Sequence, residues 1–180
     1  DVAVTGVQTC ALPIFNLRRT NMTYSINNPT PTGVMPIGNI DAGFLPANAT
    51  SLVPSLPMYP GMRVQAQDPT YGMGEFILLK GVANTAVGSL VVYDGTTYAT
   101  TLTPVTSGQA RPVAFAMSAN TDPTKWAWYQ IAGTAVALKS TASSFNPTVV
   151  FGVKSVGKIG GVLSGKEVLG ARTANTATVA

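Results

Sequence analysis

From Pro60 onward the apolar runs of this chain are short and separated by turn-rich stretches in which glycine, proline, aspartate and asparagine recur. Brief β-prone runs between such breakers make strands joined by turns, because a helix needs roughly ten or more residues of 3.6-residue period. Composition pushes the same way. Glycine, proline, threonine, alanine and valine dominate, while leucine, glutamate and lysine, which favour exposed helices, are scarce. The chain is therefore expected to be all-β, a compact β-barrel or β-sandwich of short strands.

Strands are expected over residues 62–67, 75–80, 90–93, 96–102, 111–118, 125–131, 134–139, 147–151, 153–159 and 176–180. Asp94-Gly95, between two of them, favours a two-residue primed turn, in which both central residues need positive φ. Residues 165–169 are expected to form a short helix or turn. Within 125–131 the two-residue period places Trp126 and Trp128 on one face, with Ala127 and Tyr129 on the other.

Upstream the texture changes. Residues 22–60 carry Pro29, Pro31, Pro36, Pro46, Pro54, Pro57 and Pro60, so no helical or strand period survives. Isolated apolar residues remain between them, more than a disordered linker usually keeps. The segment is expected to be an extended arm that docks Val34, Met35, Ile37, Phe44 and Leu45 onto its own domain or a neighbour. A flexible tail is the plainer alternative. Residues 1–14, DVAVTGVQTCALPI, look like an in-frame translation of a common sequencing-library adapter. A signal peptide fits poorly, since a basic start is missing and Thr5, Gln8 and Thr9 interrupt the apolar stretch. Residues 1–21 are accordingly expected to be a non-native leader with Met22 as the natural start, and residues 61–180 the β-domain. The only cysteine, Cys10, belongs to that leader.

Chemistry is scarce. Of 180 residues none is histidine, and 11 basic plus 7 acidic residues are all the charge there is. The charged share is 10%, against about 25% in ordinary soluble domains. Without histidine neither a serine triad nor the usual zinc site can be built. Past Met22 the carboxylates are Asp41, Asp68, Glu75, Asp94, Asp122 and Glu167. Asp68, Asp94 and Asp122 fall in expected turns, where local hydrogen bonding already explains them. Residues 160–167, GGVLSGKE, nearly match a phosphate loop, but Glu167 stands where a magnesium-binding hydroxyl belongs and would repel phosphate. No catalytic group, cofactor or metal is expected. Basic residues are scattered singly apart from Arg18-Arg19, so no stripe tracks a nucleic acid. Nor does any run reach the roughly 18 to 20 apolar residues of a spanning helix.

Taken together, residues 91–95 (VVYDG), 111–118 (RPVAFAMS), 126–131 (WAWYQI) and 168–175 (VLGARTAN) resemble virion structural proteins of tailed bacteriophages. The closest flavour is the small capsid decoration, or cement, protein of environmental phages, and the likeness covers about residues 58–180. It implies a non-enzymatic protein, made in the bacterial host cytoplasm and placed on the capsid exterior. Such a protein clamps major capsid subunits together, often as a homotrimer on a local threefold axis. The resemblance also implies a further strand past a segment like ARTANTATVA, so the chain is expected to be incomplete there. A different class stays open: a carbohydrate- or receptor-binding module of a phage fibre, with Trp126, Trp128 and Tyr129 as a stacking platform. The commoner role for aromatics on a strand is core packing.

Overall fold

The computed structural model of the chain describes residues 2–6, 45–46, 60–68, 71–141 and 143–176. These form eleven strands and, among the described residues, no helix. They are β1 (Val2–Gly6), β2 (Leu45–Pro46), β3 (Arg63–Asp68), β4 (Gly72–Lys80), β5 (Leu90–Tyr93), β6 (Thr100–Leu102), β7 (Val113–Ala116), β8 (Lys125–Ala137), β9 (Gly152–Ser155), β10 (Lys158–Gly160) and β11 (Ala171–Thr173). The all-β expectation holds. Nine strands share one antiparallel sheet along the path β11-β1-β8-β7-β5-β6, with β2 and β4 also on β8 and β3 on β4. That path has two ends and does not close into a barrel. β9 and β10 form a separate hairpin.

β8 organises the sheet. Two strands were expected here, separated at Ala132-Gly133, but one continuous strand runs from Lys125 to Ala137. The register explains why. Glu75 pairs with Ala132 and Phe76 with Gln130, leaving Ile131 as the extra residue of a bulge. The Gln130 amide donates to the carbonyls of Ala132 (3.1 Å) and Thr134 (2.9 Å), bracing the bend. Gly133 takes φ +91°, and a Cβ there would strike the Met73 carbonyl on β4. A glycine that usually breaks a strand here lets one continue through a kink.

The first half of β8 and its partner β4 are buried on both faces. Phe76, Leu78, Trp126 and Trp128 pack on one side with Ala66 and Met117. Ile77, Leu79, Ala127 and Tyr129 pack on the other with Val91, Tyr93, Ala114 and Ala116. The two-residue alternation expected for the tryptophans is the observed one. A third cluster joins Leu90, Phe115, Ala135 and Ala137 to Phe145, Phe151, Val153, Ile159 and Val168, seating the β9–β10 hairpin on the sheet.

Several local expectations are corrected. The hairpin β5–β6 exists, but its loop covers residues 94–99, since Tyr93 pairs with Thr100. The Asp94 carboxylate accepts from the backbone N–H of Thr96 (2.8 Å) and Thr97 (2.7 Å), and Tyr98 N–H donates to the Asp94 carbonyl (3.0 Å). This capped turn takes its positive φ at Tyr98, so the primed Asp-Gly turn is not used. Residues 153–159 divide into β9 and β10 at a turn with Gly157 at φ +67°. Residues 147–151 form no strand, although Thr148 N–H and Thr173 N–H donate to the carbonyls of Thr173 (2.7 Å) and Val149 (3.0 Å). Residues 165–169, expected as a short helix or turn, take the turn.

The leader was expected to take no part in the fold, yet Val2–Gly6 is a strand between β8 and β11. The pairing says nothing of where those residues come from. Its physical reason is plain: alternating Val-Ala-Val-Thr fits any open strand edge of small residues. Of the arm, Leu45–Pro46 and Pro60 are described, and β2 pairs Leu45 with Trp126.

Candidate functional site

The tryptophan strand presents no ring to solvent. Trp126 and Trp128 are each 3% exposed and Tyr129 is fully buried. The Tyr129 hydroxyl donates to the Lys80 carbonyl (3.2 Å), and burial pushes its pKa up to about 12. Lys80 Nζ lies 5.5 Å from the Trp126 ring centroid, within cation–π range. These aromatics form core. Of the arm residues singled out, Val34, Met35, Ile37 and Phe44 lie outside the described residues, while Leu45 is placed by its backbone on β8.

The turn aspartates are used locally, as expected. Asp68 accepts from Tyr71 N–H (2.8 Å). Asp122 accepts from the Thr124 hydroxyl (2.6 Å) and N–H (2.8 Å), which hold its carboxyl below the usual carboxylate range. Asp94 is held low by the Thr97 and then the Thr96 N–H, with a smaller contribution from the Arg111 charge. Glu75 pairs with Arg63 at 3.6 Å. Among the described residues no three histidine, cysteine, aspartate or glutamate side chains gather as a metal centre would require.

The feature that sequence reasoning missed lies elsewhere. The β6–β7 loop, through residues 103–111, faces residues 165–169 across a cleft of about 420 Å³. Its lining is apolar through Val92, Val113, Val153 and Val168, and polar through Gln109, Arg111, Lys166 and Glu167. Both walls are pinned by backbone. Gly108 N–H donates to the Gly165 carbonyl (3.0 Å), with both glycines at φ +72°. Val153 N–H donates to the Lys166 carbonyl and Val168 N–H to the Phe151 carbonyl, each at 3.0 Å. The Gln109 amide donates to the Thr106 hydroxyl (2.8 Å).

The stretch 161–169, whose last five residues line this cleft, exposes apolar side chains: Val162 (46%), Leu163 (40%) and Leu169 (89%). Such residues are costly to hydrate on a loop whose backbone is already fixed. The near-phosphate-loop sequence, residues 160–167, ends in this wall. It opens no helix, and Glu167 instead bridges to Gly152. A legible signal existed, because Val162-Leu163 and Leu169 are apolar residues inside a turn-rich stretch. The surface can bind by burying apolar area and can orient a partner through Arg111, Lys166 and Glu167. Compared with known proteins, the chain matches no family model, no curated sequence and no solved structure.

Proposed function

We propose that the protein is a non-enzymatic structural protein of a tailed-phage virion, a decoration protein that stabilises the shell by binding between major capsid subunits. The observation that supports this reading is the exposed apolar wall, Val162, Leu163 and Leu169, beside an apolar cleft on a chain with so little charge. A subunit interface presents such a surface before its partner arrives. The reading includes a compact β-domain with an extended arm from residues 22–60, a homotrimer on a local threefold axis and a place on the capsid exterior. The fibre-module alternative needs a solvent-facing aromatic platform, and Trp126, Trp128 and Tyr129 are buried.

The test is sedimentation with shells assembled from a tailed-phage major capsid protein. Stoichiometric, saturable pelleting with the shells is expected. A chain that stays in the supernatant, or whose tryptophan emission responds to glycans, would overturn the reading.

A further inference from the structure

The charge of this chain is unevenly placed. Residues 1–137 hold six basic and six acidic side chains and sum to zero. The whole formal charge of +4 falls in residues 138–180, where Lys139, Lys154, Lys158, Lys166 and Arg172 stand against a single carboxylate, Glu167.

In sequence these residues are scattered singly, but the fold lays their segments side by side. Val153 N–H donates to the Lys166 carbonyl (3.0 Å), β9 pairs with β10, and Ser140 N–H donates to the Ile159 carbonyl (2.8 Å). Residues 166–168, β9, β10 and residues 138–140 are therefore neighbours in that order, and each segment brings one lysine. A Cβ on Gly160 of β10 would strike the Lys154 side chain, so that stem lies against the neighbouring strand. The ion pairs among the described residues are Arg63–Glu75 and Lys125–Asp122, both outside this region. No described carboxylate pairs with Lys139, Lys154, Lys158 or Lys166.

The same region holds exposed apolar side chains. Of the seven large apolar residues exposed among the described residues, five lie within 149–169. Val156 is two residues from both Lys154 and Lys158, and Leu163 and Leu169 are each three from Lys166. Ammonium groups interleaved with exposed valine and leucine fit a partner of opposite sign that is also partly apolar. Glu167, in a backbone bridge with Gly152 of β9, would repel phosphate, which disfavours nucleic acid and anionic lipid. None of the exposed large apolar residues is aromatic, so no ring is offered to a base. A protein surface can match both signs, setting carboxylates against the lysines and a basic group against Glu167.

We propose that residues 138–172 form a basic, apolar docking surface for a protein partner whose facing surface combines carboxylates with apolar side chains. The partner's chemistry follows from this surface alone; that the partner is a shell subunit rests on the proposed function.

The full chain is titrated at low salt with a short peptide alternating glutamate and leucine, and backbone amide shifts are followed. Shifts are expected within 138–172, with affinity falling roughly tenfold as salt rises to about 0.5 M. Lys154→Glu with Lys158→Glu should weaken peptide binding roughly tenfold, while Lys125→Glu, in the neutral part of the chain, should change it less than about twofold. Lys154→Gln with Lys158→Gln, which only removes charge, should fall between them. An equal loss from Lys125→Glu, salt-independent binding or shifts outside 138–172 would overturn the proposal. So would tighter binding to duplex DNA, or to vesicles of phosphatidylglycerol and phosphatidylcholine, than to the peptide. Shell pelleting separates this surface from the virion role. Pelleting that is unchanged by the two charge reversals keeps the role and refutes the surface. A chain that binds the peptide here but never pellets keeps the surface and refutes the role.

Discussion

The β4–β8 wall and the 103–111/165–169 cleft use the same small-residue sequence to opposite ends. Along the wall, long strands carry aromatics and aliphatics on both faces, and both faces are buried. Around the cleft, strands shrink to three or four residues, and intervening turns hold apolar side chains out in solvent. Strand length decides which outcome occurs. A long strand can pair on two edges and bury alternate residues on both faces. A turn fixes its backbone locally and has no regular face to bury, so Val162, Leu163 and Leu169 stay exposed.

Under the proposed reading, wall substitutions act on stability while cleft substitutions act on association. The largest effect is expected from Trp128→Ala, at roughly 3–5 kcal/mol by denaturant unfolding. A loss below about 1 kcal/mol would mean that this face is poorly packed. Gly133→Ala comes next. It forces a side chain into a left-handed backbone position and against the Met73 carbonyl, at a cost of about 1–3 kcal/mol. An unchanged midpoint would show that the kink in β8 is not needed.

Tyr129→Phe is expected to cost about 1 kcal/mol by removing the bond to the Lys80 carbonyl. Its pH signature is distinctive. With the folded pKa raised to about 12 from the ordinary tyrosine value of 10.0, the unfolded chain ionises first. The tyrosine's contribution is therefore whole below pH 10.0 and lost as pH rises towards 12. Denaturant titrations across that window should show a shallower decline in the phenylalanine variant than in wild type.

Asp94→Ala should give the smallest change, a modest fall in Tm near neutral pH. Because its folded pKa lies below 3.8, the aspartate's contribution is present above that value and disappears as pH falls through the folded pKa. The wild-type and alanine melting curves should thus converge in strong acid; a constant gap would assign the effect to something other than the capped turn.

Legibility followed the same divide. The wall was readable, because alternation over Lys125–Ile131 separates Trp126 and Trp128 from Ala127 and Tyr129 without tertiary information. The continuity of β8 was not. A glycine at a bulge and a glycine between two strands look alike until the opposing strand supplies a register. The Asp94 turn was misread for a related reason: Asp-Gly marks a turn, but Thr96 and Thr97 offered the carboxylate a different set of donors. Of the cleft only the apolar residues Val162, Leu163 and Leu169 stood out in the sequence; the cleft itself could not be read, because its walls, residues 103–111 and 165–169, are far apart in sequence and meet through the bond from Gly108 to Gly165. Exposure of Leu169 depends on that meeting.

The most direct test of the account is shell binding by Leu169→Asp beside wild type, with unfolding measured on both. The leucine is 89% exposed, so stability should stay within about 0.5 kcal/mol. The account predicts that the variant remains folded and is lost from the shell pellet, while wild type sediments with it. A folded Leu169→Asp chain that pellets as well as wild type would contradict the claim that this wall is the working surface.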